Sequence, residues 1–196
     1  MQQVLLTEVC DRLLLAHAVR GCDTSKIFSI GKSQPLKKLT SDHFKQQADV
    51  FASREHNHEE VAEAGEKAIV PLYGGKEGDT LDDLRFLKYI QKVSTSSKST
   101  QPNFLPPTAP AAKYHYFRTY FQVQTWMFLN DSTAVKDSQE WVWEKSQGML
   151  LPAFTDKTVA PEELLKVVRC NCRSRCGTAQ CSCRKRGLAS LLYRLW

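Results

Sequence analysis

Long hydrophobic runs are missing from this chain: no apolar segment of its 196 residues approaches the roughly 20 that a membrane-spanning helix needs. The most apolar N-terminal stretch, VLLTEVCDRLLLAHAV, is broken by Glu8, Asp11 and Arg12 and follows no basic leader, so it does not read as a secretory signal. No internal repeat is present, which sets aside a repeat architecture. Neither Cys10 nor Cys22 sits in a pattern that gives it a thiol or histidine partner, which argues against a catalytic cysteine. Acids are absent from Lys166 to the last residue, Trp196. A soluble, intracellular protein without a membrane partner is the expectation.

Composition is otherwise ordinary, with 42% hydrophobic and 24% charged residues, enough for one or two modest cores. The net charge of +6 is mild, but its distribution is not. Lys166, Arg169, Arg173, Arg175, Arg184, Lys185, Arg186 and Arg194 supply eight cations in the acid-free C-terminal segment, which leaves the rest of the chain near neutral. Such a segment favours a polyanionic partner.

The hydrophobic pattern predicts a mainly α fold. A mostly buried helix is expected over 1–18, from the recurrence of Leu5, Val9, Leu13 and His17, and Gly21 should end it. Pro35 is tolerated in the first turn of a second helix, expected to run to about Val50. A third spans roughly Glu59 to Pro71, the glycines of LYGGKEGD then break the chain, and Thr80 with Asp83 forms a capping box that launches LDDLRFLKYIQKV. Ser94 to Pro110 is rich in Ser, Thr and Pro and reads as a linker. Beyond it, Ala112, Tyr116, Tyr120, Val123 and Met127 mark an amphipathic helix, WVWEKSQGMLLPAF predicts a short hairpin, and Pro161 starts a last helix ending near Val168. The expected domains are 1–93, a 94–110 linker, 111–168 and a cysteine-rich tail, 169–196.

Two stretches carry chemistry. In the tail, Cys170, Cys172, Cys176, Cys181 and Cys183 place five thiols within fourteen residues, which favours metal-bound thiolates over a disulfide framework. Zinc takes four such ligands at about 2.3 Å, and its binding free energy can fold a segment too small for a core. The alternative is a set of unliganded cysteines. The second stretch, RGCDTSKIFSIGKSQPLKKL, sets Asp23 before a Gly-Lys turn and a basic helix. A carboxylate there can hold Mg²⁺, and turn amides at a helix start can hold phosphate, with Gly31, Lys32, Lys37 and Lys38 nearby. The alternative is that Asp23 caps a turn and that Lys37 and Lys38 are simply solvated. Of the remaining side chains, His56 and His58 flank Asn57 before an acidic helix and read as a solvated helix start, with a metal role as the alternative. His17 and His115 read as core or boundary residues, and Trp126, Trp141, Trp143, Tyr114, Tyr116 and Tyr120 as packing residues rather than base-stacking platforms.

The segment LLLAHAVRGCDTSKIFSIGKSQPLKKL resembles that of PIN-like and flap-endonuclease-type 5′ nucleases in which a Gly-Cys-Asp acid closes a divalent-metal cluster and a helix-turn-helix grips the DNA backbone. Gly21, Cys22 and Asp23 match the acid motif; Ile30, Gly31 and Lys32 match the end of the turn, with Ser29 where the family has its first glycine. The family's other acids come from strands upstream, and Glu8 and Asp11 do not match them. The resemblance therefore implies the C-terminal part of such a domain, with Asp23 the only matched metal acid. The tail is similar to the first half of tesmin-like CXC domains, DNA-binding modules that hold several zinc ions through shared thiolates. No cysteine follows Cys183, so the expectation is a truncated module with one tetrahedral site. More broadly, GCDT, LYGGK, FLPPT, GMLLPAFTD and APEELLKVVRCNC look like the landmarks of multicopy animal proteins derived from mobile elements.

Together these imply a nuclear, zinc-dependent, largely sequence-nonspecific DNA-binding protein, with RNA as the alternative to DNA. Lys32, Lys37 and Lys38 would contact phosphate at the turn, and Arg169, Arg173, Arg175, Arg184, Lys185 and Arg186 around the zinc. The alternatives are one part of a metal-dependent nuclease, using Asp23 and Mg²⁺, and a zinc module that binds another protein.

Overall fold

The structure is a computed structural model that describes residues 2–21, 27, 30–31, 33–38, 41–95, 101–131 and 136–157. Gly21 ends helix α1 (Gln2–Arg20): its amide donates to the Ala18 carbonyl at 3.0 Å, and its φ of 104° is one that side chains with a Cβ avoid. The buried face of α1 is not the expected one. Leu15, Ala18 and Val19 are buried together with Ala16, whereas Val9 and Leu13 are 47% and 42% exposed and His17 is exposed. Apolar residues occupy most of this helix's circumference, so spacing alone could not single out the packed face.

The single helix expected from Pro35 to Val50 is two, α2 (Ser33–Lys38) and α3 (Asp42–Ala52). Pro35 is buried in the first turn of α2. Ser41 restarts the chain as α3 because its hydroxyl accepts from the Phe44 amide at 3.3 Å, and Asp42 sits favourably at the positive end of the helix dipole. Phe44, Gln47, Ala48 and Phe51 form the buried stripe of α3.

Helix α4 (His58–Ile69) starts on a reciprocal cap. Asn57 Oδ1 accepts from the Glu59 and Glu60 amides at 2.9 and 3.1 Å, and the Glu60 carboxylate accepts from the Asn57 amide at 2.9 Å. A 3-10 turn, Val70–Tyr73, follows and closes on Gly74, whose φ is 78°. Thr80 then caps α5 (Leu81–Thr95) as expected, accepting from the Asp83 amide at 3.2 Å and donating to the Asp83 carboxylate at 2.6 Å. In α5 Leu81 and Leu84 are buried, while Phe86, Leu87, Tyr89, Ile90 and Val93 are exposed.

Residues 101–108, in the stretch expected as a linker, run back beside α5. Lys92 donates to the Phe104 carbonyl at 3.2 Å, Arg85 to the Pro106 carbonyl, and the Ala109 amide to Asp82 at 3.1 Å. These bonds seat α6 (Ala109–Met127), with Pro110 at a position that needs no amide partner. Ala112, Tyr116, Tyr120 and Val123 are buried, as the stripe predicts, and Met127 is half-buried. His115, Phe117, Arg118, Thr119 and Gln124 are buried as well, so the middle of α6 is enclosed on several sides. It packs on α1, α3 and α4, and residues Met1–Asp156 make one compact unit. The helices on either side of 94–110 thus share a core.

The expected hairpin is present. Strands β1 (Trp143–Ser146) and β2 (Met149–Pro152) pair antiparallel with Ser146 opposite Met149. Gln147 and Gly148 form the two-residue turn with φ of 49° and 79°, both positive, which matches the twist of paired strands. The described residues are mainly helical, with these two short strands, and no helix among them is long and apolar enough to cross a membrane. The helix expected from Pro161 lies outside the described residues.

Candidate functional site

Most residues singled out from the sequence lie outside the described residues: Asp23 and Lys32, the five cysteines Cys170, Cys172, Cys176, Cys181 and Cys183, and the cations Arg169, Arg173, Arg175, Arg184, Lys185 and Arg186. Gly31 is exposed, and a Cβ built on it would meet nothing within 4 Å. Sterics therefore leave room for a side chain there. Lys37 is exposed on α2, followed by Lys38, whose side chain is not among those described.

The histidines and aromatics are accounted for by packing. His56 Nδ1 lies 3.1 Å from Glu60 Oε2. The carboxyl of Glu60 is held below its usual range first by the Asn57 amide and then by that histidine. His58 donates through Nε2 to the Glu140 carbonyl at 2.8 Å, stacks on Trp141 with ring centroids 4.4 Å apart, and meets the edge of Phe117 at 4.8 Å. Tyr116, Tyr120 and Trp141 are buried in the core. Among the described residues no three His, Cys, Asp or Glu side chains come together in a way that could hold a metal ion.

What the structure does assemble is a cavity of about 290 Å³ against one face of α6. Ala111, Ala112, His115 and Arg118 lie on that face by helical spacing. Arg85 of α5 and Tyr73 of the 3-10 turn reach it from one side, and Pro102, Asn103, Leu105 and Pro107 cross it. Phe154, just after β2, Ile27 and Ile69 complete the wall.

Its electrostatics are one-sided. Arg118 is 4% exposed, donates through Nη1 to the Ala153 carbonyl and lies 5.3 Å from the Phe154 ring centroid. Its Nε is buried without an acceptor. Burial pulls the pKa of this guanidinium down. Arg85 gives its hydrogen bond to the Pro106 carbonyl. His115 donates through Nε2 to the Val19 carbonyl at 2.7 Å. Burial above all pushes its pKa down to about 4, that hydrogen bond opposes the shift, and the charge of Arg118 adds to it, so the ring is neutral at physiological pH. Burial pushes the Tyr73 phenol up to about 12 although Arg85 acts against it. Among the described residues that line the cavity none is acidic.

Sequence reasoning missed this site. The available signal was His115 and Arg118, three positions apart on the same side of α6 as the apolar Ala111 and Ala112. A helical projection shows them as a polar interruption of a packed face, but Arg85, Tyr73 and Leu105 are distant in sequence and nothing local links them to it. No family model, curated protein or solved structure matches the chain.

Proposed function

We propose that the protein binds DNA in a zinc-dependent and largely sequence-nonspecific manner, and does so in the nucleus. The observation that carries this is the tail composition: five cysteines within fourteen residues, interleaved with cations and free of acids. The donor set fits zinc, since four thiolates complete its tetrahedron, with one left over. Zinc would supply no chemistry there beyond holding the loop. Arg169, Arg173, Arg175, Arg184, Lys185 and Arg186 would then be fixed near one another and meet phosphates, with Lys32, Lys37 and Lys38 as a second set. Contacts to phosphate bring affinity without sequence readout. RNA offers the same phosphates and is the alternative to DNA.

The test is fluorescence anisotropy of labelled duplex DNA with the zinc-loaded chain, beside a version ending before Arg169. Six phosphate contacts from the tail predict roughly a thousandfold loss of affinity between about 50 and 200 mM salt. The shortened version should bind far more weakly and with a shallower salt slope. Equal binding by both versions, or none by either at low salt, would overturn the reading.

A further inference from the structure

We propose that the cavity lined by Arg118 and Arg85 is a binding site for a small carboxylate with an apolar body. A buried guanidinium cannot shed its proton, and charged side chains removed from water are ordinarily paired. Arg118 is 4% exposed, yet its hydrogen bond ends at a backbone carbonyl and its Nε is buried without an acceptor. Arg85 lines the same cavity and is likewise held by a carbonyl. Those two bonds orient the guanidinium groups without neutralising them. His115, neutral and donating to Val19, supplies no counter-charge.

An acid-free chamber lined by one buried cation, Arg118, and one half-buried cation, Arg85, is complementary to one anion. A carboxylate suits it because its two oxygens match the planar fork of an arginine. Ile27, Ile69, Leu105 and Phe154 would take up the apolar remainder. At about 290 Å³ the cavity is at the small end of ligand sites, which confines the occupant to a short chain or a single ring and excludes a nucleotide. The site belongs to residues 1–156 and does not depend on the nucleic-acid reading.

Proton–nitrogen NMR of the full zinc-loaded chain, titrated with hexanoate and separately with hexanamide, tests this. Hexanoate should shift the Arg85 and Arg118 side-chain resonances and the Ala111 and Ala112 amides saturably, at concentrations up to about 10 mM. Hexanamide, which keeps the shape and loses the charge, should bind about tenfold more weakly or not at all. Arg118→Met should abolish the preference for hexanoate, and Ala111→Leu, which fills the chamber and leaves both arginines in place, should weaken both compounds. Where Arg118→Met does not fold, as judged by circular dichroism, Arg85→Gln takes its place and should reduce the preference. The proposal is overturned if hexanoate gives no saturable shift, if hexanamide binds as well as hexanoate, or if Ala111→Leu leaves hexanoate binding unchanged.

Discussion

A methyl group at Gly65 would stand 2.2 Å from Tyr116 Cγ and 2.7 Å from its Cβ, inside any permitted carbon–carbon contact. Tyr116 is 2% exposed and its ring has little room to retreat. Gly65→Ala therefore sets two effects against each other. Helix propensity gains about 1 kcal/mol, while overpacking a close helix contact costs typically 1–3 kcal/mol and more where the neighbour is fixed. Because the clash is with the root of the tyrosine and not its tip, the second effect should win, with a net loss of about 2 kcal/mol in urea unfolding. A variant as stable as the parent would show that α4 and α6 can separate freely. His115 makes a second prediction. Its folded-state pKa is near 4 against an ordinary 6.5, so between those values the unfolded chain holds the proton and the folded chain does not. Stability should fall as pH drops from 6.5 towards 4, by up to about 3 kcal/mol. His115→Gln keeps a donor for the Val19 carbonyl and cannot take the proton; its unfolding midpoint should vary less with pH in the upper half of that window, above the carboxylate range.

At the scale of elements, the caps decide where helices begin. Asn57 and Glu60 satisfy each other's orphan groups at the start of α4, and both are exposed, so the cap can be removed without opening the core. Asn57→Ala should cost about 1 kcal/mol, read as a shift in thermal midpoint with an unchanged near-ultraviolet spectrum. A loss several times larger would mean that Asn57 supports the neighbouring packing of His58 on Trp141 as well. Local chemistry of this kind is legible in a sequence: the starts of α4 and α5 and the turn of the hairpin follow from residues within a few positions, whereas the first amide of α6 is held by Asp82 of α5. Ser41 shows the limit. Its capping bond to Phe44 splits the helix expected from Pro35 to Val50, and the signal was present in Ser41-Asp42 but outweighed by a continuous pattern across it.

For the whole molecule, the predicted tail and the helical unit should respond differently to metal removal. The core of residues 1–156 is built from packed apolar side chains, so a chelator should leave the helical thermal transition unmoved while abolishing the proposed DNA binding. A fall in that transition would place a structural metal within the helical unit. A loss of DNA binding that zinc does not restore would count against the metal-held tail.

The sequence by itself determined a mainly helical chain, the Thr80 cap of α5, the glycine stop of α1, the hairpin, the buried stripe of α6 and the segregation of charge into the tail, because each depends on neighbours a few residues away. Only the tertiary structure decided which face of α1 is buried, that helices on both sides of 94–110 meet in one core, and that Arg85 and Arg118 line a common chamber. The physical reason is the same in all three cases. Burial is settled by what approaches from elsewhere in the chain: α6 covers the Leu15–Val19 face of a helix whose apolar residues are spread around its circumference, and the 101–107 crossing brings Arg85 of α5 and the buried Arg118 of α6 to one cavity.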